Sequence, residues 1–198
     1  MKVSVLGYLF LVLTSSFFCG NLSAVSTGTL TVKFGQTTED TFKATHPEAV
    51  NVGYNNELRG NIYKETPDNN KDKRSNIIFE NIKDVFILFD QNKNLSALQL
   101  QFKNDQFSLI SAILASKYAT VVKKTPLIGS DYMELYNDGV SIYLMDPFFY
   151  SNTSLFFIKT DIRDKILKNL PSEMLNDDIN VLNYLCLLYT SDAADDAN

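Results

Sequence analysis

Two apolar runs, Val85 to Phe89 and Leu95 to Phe102, stand on either side of Asp90-Gln91-Asn92-Lys93-Asn94. That arrangement constrains the fold more than any other stretch of the chain. Asp and Asn side chains bond their own backbone in tight turns, so the two runs are expected to pair as an antiparallel hairpin. A second hairpin is marked by Asn137-Asp138-Gly139, between Asp131–Tyr136 and Val140–Met145, because glycine tolerates the positive φ such a turn requires. Further strands are expected at Leu30–Phe34, Leu58–Glu65, Ile77–Phe79, Thr120–Lys124 and Ser154–Thr160, with a turn around Gly53 to Asn56 and a polar loop over 66–76.

Helices interrupt these strands. Thr37 reads as the N-cap of a short helix with Glu39 and Asp40 in its first turn, where carboxylates favour the dipole, and Pro47 ends it by disfavouring helical geometry at His46. Asp105 reads as the cap of a second helix whose Phe107, Ile110, Leu114 and Tyr118 recur on one stripe. Asp161 to Asn169 forms a third, with Pro171 at its exit, and Glu173 to Leu185 has helical character. The order predicts an α+β fold: an antiparallel sheet with helices packed on one face, and a tandem helix-plus-sheet pseudo-repeat with halves 33–102 and 103–160. The repeat is one of element order, not of residue identity.

Both ends read as separate from that domain. Lys2, the apolar run Val3 to Phe18 and the small residue Ala24 make a secretory signal peptide over 1–24, too short for a membrane span. Phe17 and Phe18 stand before Cys19, where a lipidation signal needs a small residue. At the other end Cys186-Leu187-Leu188-Tyr189-Thr190-Ser191-Asp192-Ala193-Ala194-Asp195, with Asp196, resembles a translated sequencing adapter, so 186–198 is expected to be an artefact and 171–185 a truncated segment following a single exported domain at 25–170. Removing Lys2 from the 18 basic residues, and Asp192, Asp195 and Asp196 from the 23 acidic ones, leaves 17 and 20 and moves the net charge from -5 to -3. Cys19 and Cys186 leave as well, so an ordinary hydrophobic core must hold the domain. An exported chain without cysteine points to a bacterial periplasm, where the sequons at Asn94 and Asn152 carry no glycosylation meaning. The acidic balance argues against nucleic acid.

The segment Phe34-Gly35-Gln36-Thr37-Thr38-Glu39-Asp40 with Phe42 and Pro47, then Val85–Asp90 with Asn94-Leu95, Ser116-Lys117-Tyr118, and Asp138-Gly139 with Ile142 and Leu144, resembles small uncharacterised periplasmic proteins of Gram-negative bacteria. More distantly, residues 30–165 resemble the helix-plus-sheet fold of the BamE/SmpA outer-membrane assembly subunit and of the β-lactamase-inhibitor proteins. The resemblance implies a fold. It carries over no functional residue, and the chain lacks the lipobox of the first group and the cysteines of the second.

Little catalytic chemistry is legible. Zinc and copper sites draw on His and Cys, and the trimmed chain offers only His46, at a helix C-terminus where an imidazolium suits the dipole. A Ser-His-Asp arrangement would have to use the same histidine, and no G-x-S-x-G accompanies it. Asp90-x-Asn92-x-Asn94 mimics the start of a calcium loop, but Leu95 stands where glycine is required and Gln101 where the closing glutamate belongs. Lys71-Asp72-Lys73-Arg74 reads as a solvated loop. No cofactor is expected. The most suggestive segment is Asp146-Pro147-Phe148-Phe149-Tyr150, with three aromatics where polar residues would be usual. They either close the end of the sheet or offer a contact for a partner, which Tyr132, Tyr136 and Tyr143 would extend across the hairpin. The expectation is therefore a periplasmic or secreted module that binds an envelope protein or a small apolar ligand rather than a catalyst. The competing readings are a carboxylate- or serine-based hydrolase and an inhibitor of a secreted enzyme.

Overall fold

Eight strands form one antiparallel sheet in which the last strands of two four-strand meanders meet at the centre. The computed structural model describes residues 24–27, 30–67, 79, 81–125, 130–146 and 152–169. Strands β1 (Ala24–Thr27) and β2 (Leu30–Lys33) pair as a separate ribbon. Helix α1 (Glu39–Thr45) leads into β3 (Val50–Asn55), β4 (Gly60–Glu65), β5 (Ile82–Phe89) and β6 (Leu95–Phe102). Helix α2 (Phe107–Ala115) then leads into β7 (Ala119–Lys124), β8 (Asp131–Asn137), β9 (Val140–Asp146) and β10 (Ser154–Lys159), and α3 (Thr160–Asn169) follows. The strand order is β3-β4-β5-β6-β10-β9-β8-β7. Each half is thus a helix followed by a four-strand meander, and the last strand of each, β6 and β10, join the halves antiparallel. The α+β class and the repeated element order are as the sequence implies.

The two hairpin turns form for the reasons their residues suggest. In β5–β6 the Asp90 Oδ1 accepts the backbone N–H of Asn92 at 2.9 Å and of Asn94 at 3.0 Å, while Oδ2 accepts the Ser96 hydroxyl at 3.2 Å. Both carboxylate oxygens are used in turn chemistry, which is what the calcium-like spacing serves here. In β8–β9, Asn137 pairs with Val140 across Asp138 (φ 44°) and Gly139 (φ 77°), a two-residue turn with positive φ at both centres.

Local differences from expectation have local causes. The α1 N-cap is Thr38 rather than Thr37: Thr38 Oγ1 accepts the Thr41 N–H at 3.2 Å and Thr41 Oγ1 accepts the Thr38 N–H at 3.0 Å, a capping box built from two threonines. Thr37 instead accepts the Lys33 N–H at 2.9 Å, closing the turn after β2. The turn expected at 53–56 is displaced, because Gly53 lies inside β3 at a register shift against β4. A lone glycine marked a bulge and not a bend. Strand β4 begins at Gly60, whose missing Cβ would sit 1.8 Å from the Phe89 carbonyl oxygen, so the backbones approach too closely for any side chain. The α2 N-cap is Gln106, but Asp105 Oδ1 still accepts the Phe107 N–H at 3.0 Å.

The sheet is apolar on both faces. One face carries Val85, Ile87, Phe89, Leu98, Leu100, Leu135, Ile142 and Phe157, covered by Val32 and Phe34, by Phe42 of α1 and by Phe107, Ile110 and Leu114 of α2. Helices α1 and α2 therefore share a face. The other face carries Leu88, Ala97, Tyr132, Tyr143, Met145, Phe156 and Ile158, and there α3 packs through Ile162 and Ile166. Phe42 shows how one side chain fixes a helix: its ring meets Phe89 at 5.5 Å and Tyr63 at 5.7 Å. Burying a phenylalanine in this way stabilises by about 1.5–3 kcal/mol.

Candidate functional site

The β7–β8–β9 end of the sheet gathers the aromatic residues singled out in the sequence that fall within the described region. Side chains alternate along β8, so Tyr132, Glu134 and Tyr136 share one face. Glu134 lies opposite Tyr143 of β9 in the register, and Tyr132 stacks on Tyr143 with ring centroids 6.4 Å apart. Above them, Arg163 of α3 donates from Nη1 to Glu134 Oε1 at 3.1 Å and to the Tyr143 hydroxyl at 3.2 Å, while its Nη2 holds Asp164 at 2.8 Å. Tyr143 donates to Glu134 Oε1 at 3.3 Å, and Tyr132 donates to Oε2 at 3.2 Å.

Tyr132, Tyr143, Glu134 and Arg163 are each hydrogen-bonded within this cluster, and Arg163 is ion-paired with Glu134 and Asp164. Burial, and then the Glu134 carboxylate, push the Tyr143 phenol up to about 12, so it stays protonated as a donor. A satisfied network of this kind holds parts together: it fastens the first turns of α3 to the second sheet face. Glu134 and Arg163 were not legible as site residues from sequence. Glu134 alternates with two tyrosines on one strand, which is a usable signal, but Arg163 lies in a separate helix and only tertiary packing brings it to 3.1 Å.

The three tyrosines differ in accessibility. Tyr132 and Tyr143 are 3% and 4% exposed, whereas Tyr136 is 46% exposed. The Tyr136 hydroxyl accepts the Gly139 N–H at 3.0 Å, which steadies the ring beside the hairpin turn. Tyr136 faces Ala119 across the β7–β8 ladder, and two residues on in β7 Val121 is 58% exposed at a register shift between Thr120 and Val122. Phe148, Phe149 and Tyr150 lie outside the described residues, as do 1–23, 68–78, 170–185 and the tail from 186.

Two other titratable groupings were missed in the sequence. His46, stacked on Phe42 at 4.9 Å, brings Nδ1 to 3.2 Å from Glu65 Oε2, although that oxygen makes no aligned hydrogen bond. Distance and alignment disagree, and alignment decides whether a hydrogen bond exists. The two side chains thus meet between the end of α1 and β4 without an aligned hydrogen bond. Asp146 stands opposite Asp131 at the end of the β8–β9 ladder. Burial, then the carboxylates of Asp105 and Asp131, raise the Asp146 carboxyl to about 6. Among the described residues no group of three or more His, Cys, Asp or Glu is arranged to hold a metal ion, and no helix is long and apolar enough to cross a membrane.

Comparison with protein-family models, with curated proteins and with solved structures finds no match for this chain.

Proposed function

We propose that the chain is an exported, envelope-associated binding module that acts by contact rather than by catalysis, and that the contact is made at the β7–β8 end of the sheet. The observation that carries this reading is the exposure of Tyr136 and Val121 on adjacent strands, with Tyr136 on the sheet face where Arg163, Glu134 and Tyr143 are clamped together. A half-exposed tyrosine held by a hydrogen bond to the backbone offers large contact area at small entropic cost, the quality that makes aromatic anchors effective at interfaces. The apolar leader at 3–18 supports export, and the acidic balance favours a protein or apolar partner over nucleic acid.

A photo-crosslinking amino acid introduced at Tyr136 tests the reading, with a second one at exposed Leu109 on α2 as control. The full chain is produced with its leader in a Gram-negative host. A discrete adduct with one envelope protein from position 136, and none from 109, is the expected outcome. An exported protein that yields no adduct from 136, or equal adducts from both positions, overturns it.

A further inference from the structure

We infer that the Asp138–Gly139 step at the tip of the β8–β9 hairpin is a modification site, where aspartate converts to isoaspartate without an enzyme, and that the Tyr136 hydroxyl slows the conversion. The chemistry is independent of the contact reading above. The Gly139 backbone nitrogen attacks the Asp138 side-chain carboxyl carbon. An N–C bond forms, the amide proton and the carboxyl hydroxyl leave as water, and a five-membered succinimide ring closes. Water then opens the ring. Attack at the Asp138 main-chain carbonyl breaks its bond to the Gly139 nitrogen, so the chain now runs through the side-chain carbon and an α-carboxylate is left beside it. Attack at the side-chain carbon restores aspartate. The net change is an isomerisation that consumes no oxidant, reductant or other co-reactant.

Sequence and geometry both place the reaction here. A side chain on the residue after aspartate hinders the attacking nitrogen, and of the 8 glycines in the chain only Gly139 follows an Asp or Asn. Asp138 and Gly139 are both exposed, so water reaches them. A Cβ built on Gly139 would meet nothing within 4 Å, which leaves the ring room to close. Among the described residues no hydrogen bond or ion pair ties up the Asp138 carboxylate. The other turn aspartate, Asp90, differs on each count: its carboxylate is bonded to Asn92, Asn94 and Ser96, and Gln91 follows it.

The restraint is visible as well. Gly139 N–H donates to the Tyr136 hydroxyl at 3.0 Å, and the Gly139 carbonyl accepts the Thr160 N–H at 2.8 Å. Before it attacks, the nitrogen must give up its proton and turn toward the Asp138 carboxyl, and both bonds oppose that turn. Only the first is made by a side chain, that of half-exposed Tyr136, so it can be removed while the pairing of Asn137 with Val140 stays. Isomerisation adds one backbone atom to a two-residue turn and pulls the Gly139 N–H away from the Tyr136 hydroxyl. The steadied ring on which the contact reading relies is lost with it.

The full chain, its Tyr136→Phe variant and a synthetic peptide of residues 134–143 are incubated for weeks at body temperature and mildly acidic pH. Isoaspartate at position 138 is then quantified by peptide mapping with electron-transfer fragmentation. The peptide should convert fastest and the full chain slowest, with Tyr136→Phe faster than the full chain by about fivefold, the worth of one hydrogen bond. Circular dichroism checks that the phenylalanine variant keeps the fold. Asp138→Asn, which leaves the backbone unchanged and expels ammonia in place of water, should convert faster than the parent whatever happens to Tyr136→Phe. No isoaspartate at 138 in the peptide, or none in either protein while the peptide converts, overturns the site. So does conversion confined to other aspartates, or an Asp138→Asn chain slower than the parent. Equal rates in the full chain and Tyr136→Phe overturn the role of the hydroxyl. None of these outcomes bears on crosslinking from Tyr136, so the contact reading stands or falls separately.

Discussion

Glu134, in the middle of β8, accepts a hydrogen bond from Arg163 of α3 at 3.1 Å, although 29 residues separate them. With Tyr143 and Tyr132 donating to the same carboxylate, one side chain ties a helix to two strands. Replacing Glu134 by alanine removes the acceptor that Arg163, Tyr143 and Tyr132 share, while the Arg163 bonds to Asp164 and to the Tyr143 hydroxyl stay. The cost is expected at about 1–3 kcal/mol, from leaving polar groups unsatisfied, and is read as a lower urea midpoint. Arg163 keeps Asp164 in that variant, so a double-mutant cycle of Glu134→Ala with Arg163→Ala should show the two changes to be strongly non-additive.

The Tyr143 and Tyr63 phenols are both expected to ionise well above the ordinary tyrosine value. Burial, and then a neighbouring carboxylate, Glu134 for the first and Glu39 for the second, hold each phenol near 12. Because the folded value lies above the unfolded one near 10, each phenol favours the folded state at lower pH, and this contribution is lost as pH rises from 10 through 12. An ultraviolet titration should resolve this late step, and Glu134→Gln should bring Tyr143 down without restoring an ordinary value, since burial remains.

Asp146 makes the opposite end of the pH scale informative. Its carboxyl is raised to about 6, mainly by burial and then by Asp105 and Asp131. Between the unfolded value near 3.8 and 6 the folded chain keeps a proton that the unfolded chain releases. Stability from this group is therefore complete below the unfolded value and is lost as pH rises through 6. Thermal melts should show Asp146→Asn stabilising the protein at pH 7 and changing little at pH 4. Equal effects at both would exclude the titration as the cause.

Two glycine substitutions should separate close packing from backbone strain. Gly139→Ala meets nothing within 4 Å, but its φ of +77° is unfavourable to an L-residue and should cost about 1–2 kcal/mol. Gly60→Ala drives a Cβ to 1.8 Å from the Phe89 oxygen, so β4 must move away from β5. Its cost should be the larger, about 3 kcal/mol or more by equilibrium unfolding. A reversed order would contradict the close approach of Gly60 to Phe89.

The sequence by itself determined the identity of most elements. Asp90 to Asn94 and Asn137-Asp138-Gly139 specify their turns through bonds within a few residues, and Phe107, Ile110 and Leu114 specify one buried stripe. Gly53 misled because a glycine permits a bulge as readily as a turn, and only the pairing of β3 with β4 chooses between them. Tertiary structure decided everything that depends on distant partners: that β6 pairs with β10, that α3 packs on the face opposite α1 and α2, and that Arg163 reaches Glu134. Periodicity tells a helix or strand which of its sides must be buried. It does not say against what, because that choice is made by packing between segments whose separation along the chain leaves no local trace.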